Sequence, residues 1–215
     1  MDLLYEDDAV IVAIKPVGLL SEQTQSNNSF ADLLATRNGG YIGVIHRLDR
    51  AVSGVMVYAK TPAAAAKLSA DVQAHTVKKE YLAILHGRLE APKGKLCDLL
   101  FHDRTRNKTF VVDRKRAGVK EALLEYRTLG TATHADFGEL TLTHVLLHTG
   151  RTHQIRVQFS SRGHSLLGDG KYGAHDRCDI ALCSHRITFP HPITRREMTF
   201  SYTPTGAAWD LFSSF

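Results

Sequence analysis

The stretch Ile45-His46-Arg47-Leu48-Asp49-Arg50-Ala51-Val52-Ser53-Gly54 runs directly into Val55-Met56-Val57-Tyr58-Ala59. The second half is short, apolar and rich in β-branched residues, so it reads as a strand. The first half then reads as a polar, charged loop anchored on a rigid element, a frequent position for functional side chains. Thr61-Pro62 follows and places an N-cap and a proline at the first helical position of a helix running to about Ala74.

Working outward, residues 8–14 (DAVIVAI) form a second β-branched run, closed by the turn chemistry of Lys15-Pro16-Val17-Gly18. Residues 29–37 read as a short helix with Ser29 as N-cap, and residues 80–85 (EYLAIL) as a strand ended by His86-Gly87. Residues 92–116 are polar and basic, with Arg104, Arg106, Lys108, Arg114, Lys115 and Arg116, and read as loops around a short strand at 109–112. Residues 121–129 and 138–147 alternate as sheet strands do, residues 152–162 suit a helix ended by Gly163, residues 181–189 and 197–202 close the sheet, and residues 203–212 form a last helix. The expected architecture is α+β: a large mixed, mostly antiparallel, bent sheet with flanking helices, in one domain over residues 1–215.

Composition excludes more than it selects. The chain has 215 residues, 43% hydrophobic and 23% charged, which is ordinary for a globular domain. No apolar run is long enough to cross a bilayer, and the acidic start Met1-Asp2-Leu3-Leu4-Tyr5-Glu6-Asp7-Asp8 is unlike an export signal, so a cytoplasmic protein without membrane attachment is expected. Cys97, Cys178 and Cys183 are too few and too oddly spaced for a disulfide framework. A formal charge of +5 fits a polyanionic partner such as nucleic acid. No dinucleotide fingerprint or phosphate-binding P-loop occurs. His175, Cys178, Cys183 and His185 form an H-x2-C-x4-C-x-H run, but no zinc site is assigned to it.

In the 45–54 stretch Arg47 stands two residues before Asp49, and Arg50 follows it. If the segment is extended, Arg47, Asp49 and Ala51 share a side. A carboxylate among cations stays ionised, which suits a nucleophile or an electrostatic stabiliser better than a general acid. The residues alone favour a plain surface ion-pair cluster.

Further blocks give that cluster its context. His46-Arg47-Leu48-Asp49-Arg50-x-x-Ser53-Gly54 with Ala59-Lys60 resembles the central motif of the RluA-type RNA pseudouridine synthases. The resemblance continues through Lys79-Glu80-Tyr81-Leu82-Ala83 and Gly87, then Thr149-Gly150-Arg151-Thr152-His153-Gln154-Ile155-Arg156. It runs on through Gly163-His164-x-x-Leu167-Gly168-Asp169-x-x-Tyr172-Gly173 and Ala181-Leu182-x-Ser184-His185, with Ile14-Lys15-Pro16-x-Gly18 opening the series. The blocks keep the family's order over nearly the whole chain. One departure is Val52, where the family usually has a hydroxyl residue. The small N-terminal RNA-binding domain of many relatives is expected to be absent.

The resemblance implies an isomerase that breaks the N1–C1′ bond of a uridine in ribosomal or transfer RNA, turns the base, and rejoins it through C5. Asp49 is implied as the catalytic carboxylate, adding to C1′ or removing a proton on the way to a glycal. A glycosidase would instead need a pair of carboxylates, and Asp169, the nearest second one, reads as a turn residue. The target base must be flipped from its stack. Arg47 is implied either as the residue that fills the gap or as a phosphate contact, Tyr81 as the ring packing on the flipped uracil, and Arg156 as the basic partner of Asp49. His46, Arg50 and Arg151 are taken as substrate-binding residues, Arg151 as a phosphate contact, and Leu182 lines the uracil pocket. The 104–116 segment would track phosphates. No metal or organic cofactor is implied, and a monomer is expected. Two other readings stay open: a catalytically idle RNA-binding or ribosome-assembly factor on the same fold, and a nucleoside or glycoside hydrolase.

Overall fold

The computed structural model describes residues 1–25 and 28–212, and the chain folds into two compact units. The first comprises residues 1–79 and 183–204, the second residues 80–182 and the C-terminal residues from 205.

In the first unit β1 (Asp2–Glu6), β2 (Val10–Lys15), β4 (Ser53–Ala59) and β10 (Leu182–Pro190) lie side by side in that order. β3 (Gly43–Val44) adds to β4, and β11 (Glu197–Ser201) adds to β10. All the pairings are antiparallel except β10 on β4, joined in parallel through Cys183 with Ser53 and Ser184 with Gly54. β2 lies between two strands and is buried on both faces, which explains why VIVAIK is apolar almost without interruption. Val10, Val12, Val55 and Val57 pack with Leu68, Ile187 and Phe189 into the core. α1 (Phe30–Asn38) begins in a capping box, with Ser29 Oγ accepting from the Asp32 N–H and Asp32 accepting from the Ser29 N–H. α2 (Pro62–Gln73) begins as its sequence dictates, with Thr61 Oγ1 accepting the Ala64 N–H and Pro62 in the first turn.

In the second unit the strand order is β5 (Lys78–His86), β9 (Gly138–Leu147), β8 (Val119–His134), β6 (Lys93–Asp103) and β7 (Lys108–Val112). Leu82, Ile84, Leu140 and Leu142 share a face and pack with Leu167, Ala208 and Phe212. The α+β class and the mixed, mostly antiparallel sheet are therefore found as expected.

Several local expectations are corrected. Residues 93–103 are no loop but strand β6, which forms a hairpin with β7. Its inward face carries Asp98 and His102 as well as Leu96 and Leu100, which hides the period-two signal. Asp98 is matched by Gln158 and Arg162, residues distant in sequence. β8 continues past Leu129 because a bulge between Thr128 and Gly130 resets its register. The helix expected over 152–162 is shorter, α3 (Gln154–Ser160), because His153 adopts a left-handed conformation with φ of 54°. The C-terminal helix is a 3-10 turn at Ala207–Phe212, and β1 is an edge strand that an acidic sequence concealed.

Candidate active site

Asp49 lies in a loop of the first unit strapped to residues 15–21. Before it, the buried Ser21 hydroxyl donates to the Leu48 carbonyl at 2.8 Å and accepts the Leu48 N–H at 3.0 Å. After it, the Gly18 N–H donates to the Arg50 carbonyl at 2.8 Å, and Arg50 Nε returns a bond to the Gly18 carbonyl at 2.8 Å. The loop closes on itself through the Val52 N–H and the Asp49 carbonyl at 3.0 Å. Val52 is 2% exposed, so the position that usually bears a hydroxyl is core here.

Lys15 ties the strap together. It is 0% exposed, and its ammonium donates to the carbonyls of Pro16 at 2.9 Å, Leu19 at 2.8 Å and Arg50 at 3.5 Å. Burial lowers its pKa to about 8, against the opposing pull of the Asp49 charge. A lysine closing an apolar strand is the sequence signal for this role.

His46 is buried, and its Nε2 accepts the Val57 N–H at 3.3 Å. The ring thereby continues the bonding of β4 where β3 stops. Burial first, and Lys79 second, lower its pKa to about 3, so the ring is neutral. With Nε2 accepting, the proton sits on Nδ1, which finds no hydrogen-bond partner among the described residues. Arg47 is exposed, and its Nη1 reaches both carboxylate oxygens of Glu22 at 3.1 Å.

Gly54 fixes where the loop joins the sheet. Its φ is +124°, and a Cβ there would lie 2.3 Å from the Ser184 carbonyl oxygen. Only glycine admits this approach of β10 to β4. Ser184 Oγ also donates to the Val55 carbonyl at 2.9 Å.

The second unit carries Tyr81, Arg156, Arg151 and Leu182. Tyr81 is buried on β5, opposite the Leu82–Ile84 core face. Leu182 is buried at the start of β10. Arg151 donates from Nε to the Glu121 carbonyl at 2.8 Å, and its N–H is accepted by Gln154 Oε1 at 3.0 Å. Arg156, 5% exposed, makes a two-pronged pair with Asp169: Nε to Oδ2 and Nη2 to Oδ1, both 2.7 Å. Asp169 is 0% exposed, so its Gly-Asp-Gly setting conceals a buried counter-ion as well as a turn. Gly168 before it has φ of +77°, and a Cβ there would lie 2.3 Å from the Asp179 carbonyl oxygen. The Gly168 N–H donates to Asp176, which also pairs with His86 at 2.7 Å.

Sequence reading missed Lys15, Ser21, Glu22, Asp169 and Tyr172 as working parts, and all of these but Lys15 act chiefly on partners distant in sequence. Cys97, Cys178 and Cys183 are free thiols, and His185 is engaged with the Tyr202 carbonyl. Among the described residues no His, Cys, Asp and Glu cluster is placed to hold a metal ion, and no helix is long and apolar enough to cross a membrane.

Residues 9–161 match the family model described as RNA pseudouridylate synthase. The chain is 35% identical to the dual-specificity RNA pseudouridine synthase RluA of Haemophilus influenzae, over 94% of this chain and 92% of that protein. It is 32% identical to the uncharacterized RNA pseudouridine synthase YhcT of Bacillus subtilis, over 90% of this chain but 65% of that protein. It is 30% identical to the ribosomal large subunit pseudouridine synthase D of Zymomonas mobilis, over 93% of this chain and 68% of that protein. The fold is shared with human RNA pseudouridylate synthase domain containing 1, at a TM-score of 0.79 and 22% identity, over 94% of this chain and 82% of that one.

Proposed function

Because the chain belongs to the RNA pseudouridylate synthase family, we propose that it isomerises uridine to pseudouridine in ribosomal or transfer RNA. The observation that carries this reading is the ordered series of motif blocks, which extends well beyond the matched residues 9–161 to Leu182 and His185.

Asp49 is the catalytic carboxylate. It acts at C1′ of a flipped-out nucleotide, and the strap on Leu48 and Arg50 supports this role by fixing the main chain on both sides. The base leaves C1′ through N1 and returns through C5, the C5 proton is lost and N1 gains one, so no redox partner enters. Tyr81 packs on the uracil, Leu182 lines its pocket, and Arg156 supplies the positive charge the family chemistry calls for. Arg47 exchanges Glu22 for the RNA, either in the vacated stack or on a phosphate. His46 supports the catalytic segment, and Arg50 and Arg151 face the substrate. The basic hairpin of β6 and β7 contacts phosphates. The two units serve as one catalytic domain, working as a cytoplasmic monomer without metal or organic cofactor.

The test is pseudouridine mapping in cells lacking the gene, rescued by wild type or by Asp49→Asn. Sites that vanish and return only with wild type establish the activity and the carboxylate together. Sites restored equally by Asp49→Asn overturn the role of Asp49 and favour an idle RNA-binding factor. Free uracil released from RNA by the purified protein would indicate a hydrolase instead. Activity should survive EDTA, and loss that returns with added metal would refute the metal-free reading.

A further inference from the structure

Tyr172 joins two parts of the second unit that the reaction would use together. It ends the 3-10 turn Gly170–Tyr172, is 6% exposed, and packs with Leu100, Ala122 and Val157. Its ring centroid lies 5.1 Å from Arg156 Cζ, on the guanidinium that Asp169 grips. The ring therefore bounds a guanidinium already fixed by its counter-ion.

The Tyr172 hydroxyl faces the other way in the network. It accepts the N–H of Thr109, on β7, at 2.8 Å. It also lies 2.9 Å from Nδ1 of His153, the left-handed residue that opens α3. Thr109 Oγ1 in turn donates to the Thr152 carbonyl at 2.9 Å and receives His102 Nδ1 at 3.1 Å. Burial raises the Tyr172 pKa, so the phenol stays protonated.

The same turn holds the tip of the basic hairpin. Lys171 Nζ donates to the Asn107 carbonyl at 2.9 Å, and Lys108 Nζ lies 5.3 Å from the Tyr172 ring centroid. Arg104 and Arg106 are exposed beside that tip. A hairpin joined to its sheet only by strand pairing would pivot about its base. This one is pinned near its tip to the turn that also borders Arg156.

We propose that Tyr172 is a positioning residue that fixes the Arg156 guanidinium and holds the basic β6–β7 hairpin in register with it. RNA gripped by Arg104 and Arg106 is then presented at a set distance from Arg156. The inference rests on the role of Arg156 in the proposed reaction. It assigns two separable duties, the hydroxyl coupling the hairpin to α3 and the ring bounding the guanidinium.

The test uses the full chain with total RNA from cells lacking the gene, enzyme in excess, and pseudouridine counted by mass spectrometry. Tyr172→Phe removes one oxygen and keeps the ring. It should lower the rate at saturating enzyme about ten-fold, one misplaced hydrogen bond's worth, with the half-saturating concentration within about two-fold of wild type. Tyr172→Leu should lower the saturating rate further. Arg104→Ala with Arg106→Ala should show the opposite split, a raised half-saturating concentration with a nearly unchanged saturating rate. A purely structural tyrosine would raise the half-saturating concentration, through the smaller folded fraction, and leave the saturating rate constant alone. Wild-type rate constants in folded Tyr172→Phe would overturn the proposal, and if Tyr172→Leu does not fold, the Phe variant decides alone. A wild-type chain that leaves this RNA unmodified, with Asp49→Asn equally silent, removes the proposed reaction itself and the positioning role with it.

Discussion

Asp49 and Arg156 are held by opposite means. Around Asp49 the strap grips main chain: Ser21 on Leu48, Gly18 on Arg50, Lys15 on three carbonyls. Around Arg156 the grip is on the charged group itself, through a buried carboxylate and a tyrosine ring. Main-chain bonds are replaceable singly, each contributing on the order of 1 kcal/mol. A buried ion pair is not, because removing one partner strands the other charge away from water. The loop that bears the carboxylate is thus carried on a backbone platform, whereas the guanidinium is gripped directly by a buried counter-ion.

The sharpest test of the contrast is Asp49→Asn. It should cut pseudouridine formation by about 10⁴-fold or more while RNA binding stays nearly unchanged. Comparable activity in the variant breaks the reading. Next in size, Asp169→Ala should destabilise the fold by about 3–5 kcal/mol in denaturant unfolding, because the buried Arg156 guanidinium would lose a two-pronged ion pair. A cost no larger than that of Ser21→Ala would erase the distinction between cradle and strap.

A third prediction concerns pH. His46 titrates near 3 in the folded chain and near 6.5 when unfolded, so below 6.5 the unfolded state binds the extra proton. Its contribution to stability is complete above pH 6.5 and falls away as pH drops toward 3. Between pH 6.5 and 5 the loss should approach about 2 kcal/mol. His46→Gln should flatten that part of the stability curve, and an unchanged slope would show that other groups set it. Ser21→Ala should cost about 1–2 kcal/mol and slow catalysis by loosening Leu48, measured by unfolding and single-turnover rates. Smallest of all, Arg47→Ala should barely move stability, because its pair with Glu22 is exposed, while RNA affinity falls. A large loss of stability would move Arg47 from the substrate to the scaffold.

Local sequence made much of this legible. Ser29 and Thr61 capped helices where their side chains require, and the β-branched runs at 8–14 and 55–59 became strands β2 and β4 within a residue or two at most boundaries. What escaped reading depends on distant partners. Strand β6 looked like a basic loop because Asp98 and His102 occupy inward positions, and residues of α3 and β7 make those positions tolerable. His153 shortened α3 by taking a backbone conformation that no local propensity announces.

The candidate site divides along the same line. The resemblance to the family, carried by motif blocks in their order, implied Asp49, Tyr81 and Arg156 as carboxylate, ring and cation. The sequence by itself also determined the helix caps and the β-branched strand runs, since those are decided within a few residues. Only the tertiary structure decided that Ser21 holds Leu48, that Asp169 is a fully buried counter-ion to Arg156, and that Tyr172 spans Thr109 and His153. Those pairings join residues 13 to 63 positions apart. Such bonds form only where the fold excludes water and brings the partners together, and neither condition is written in any local stretch of chain.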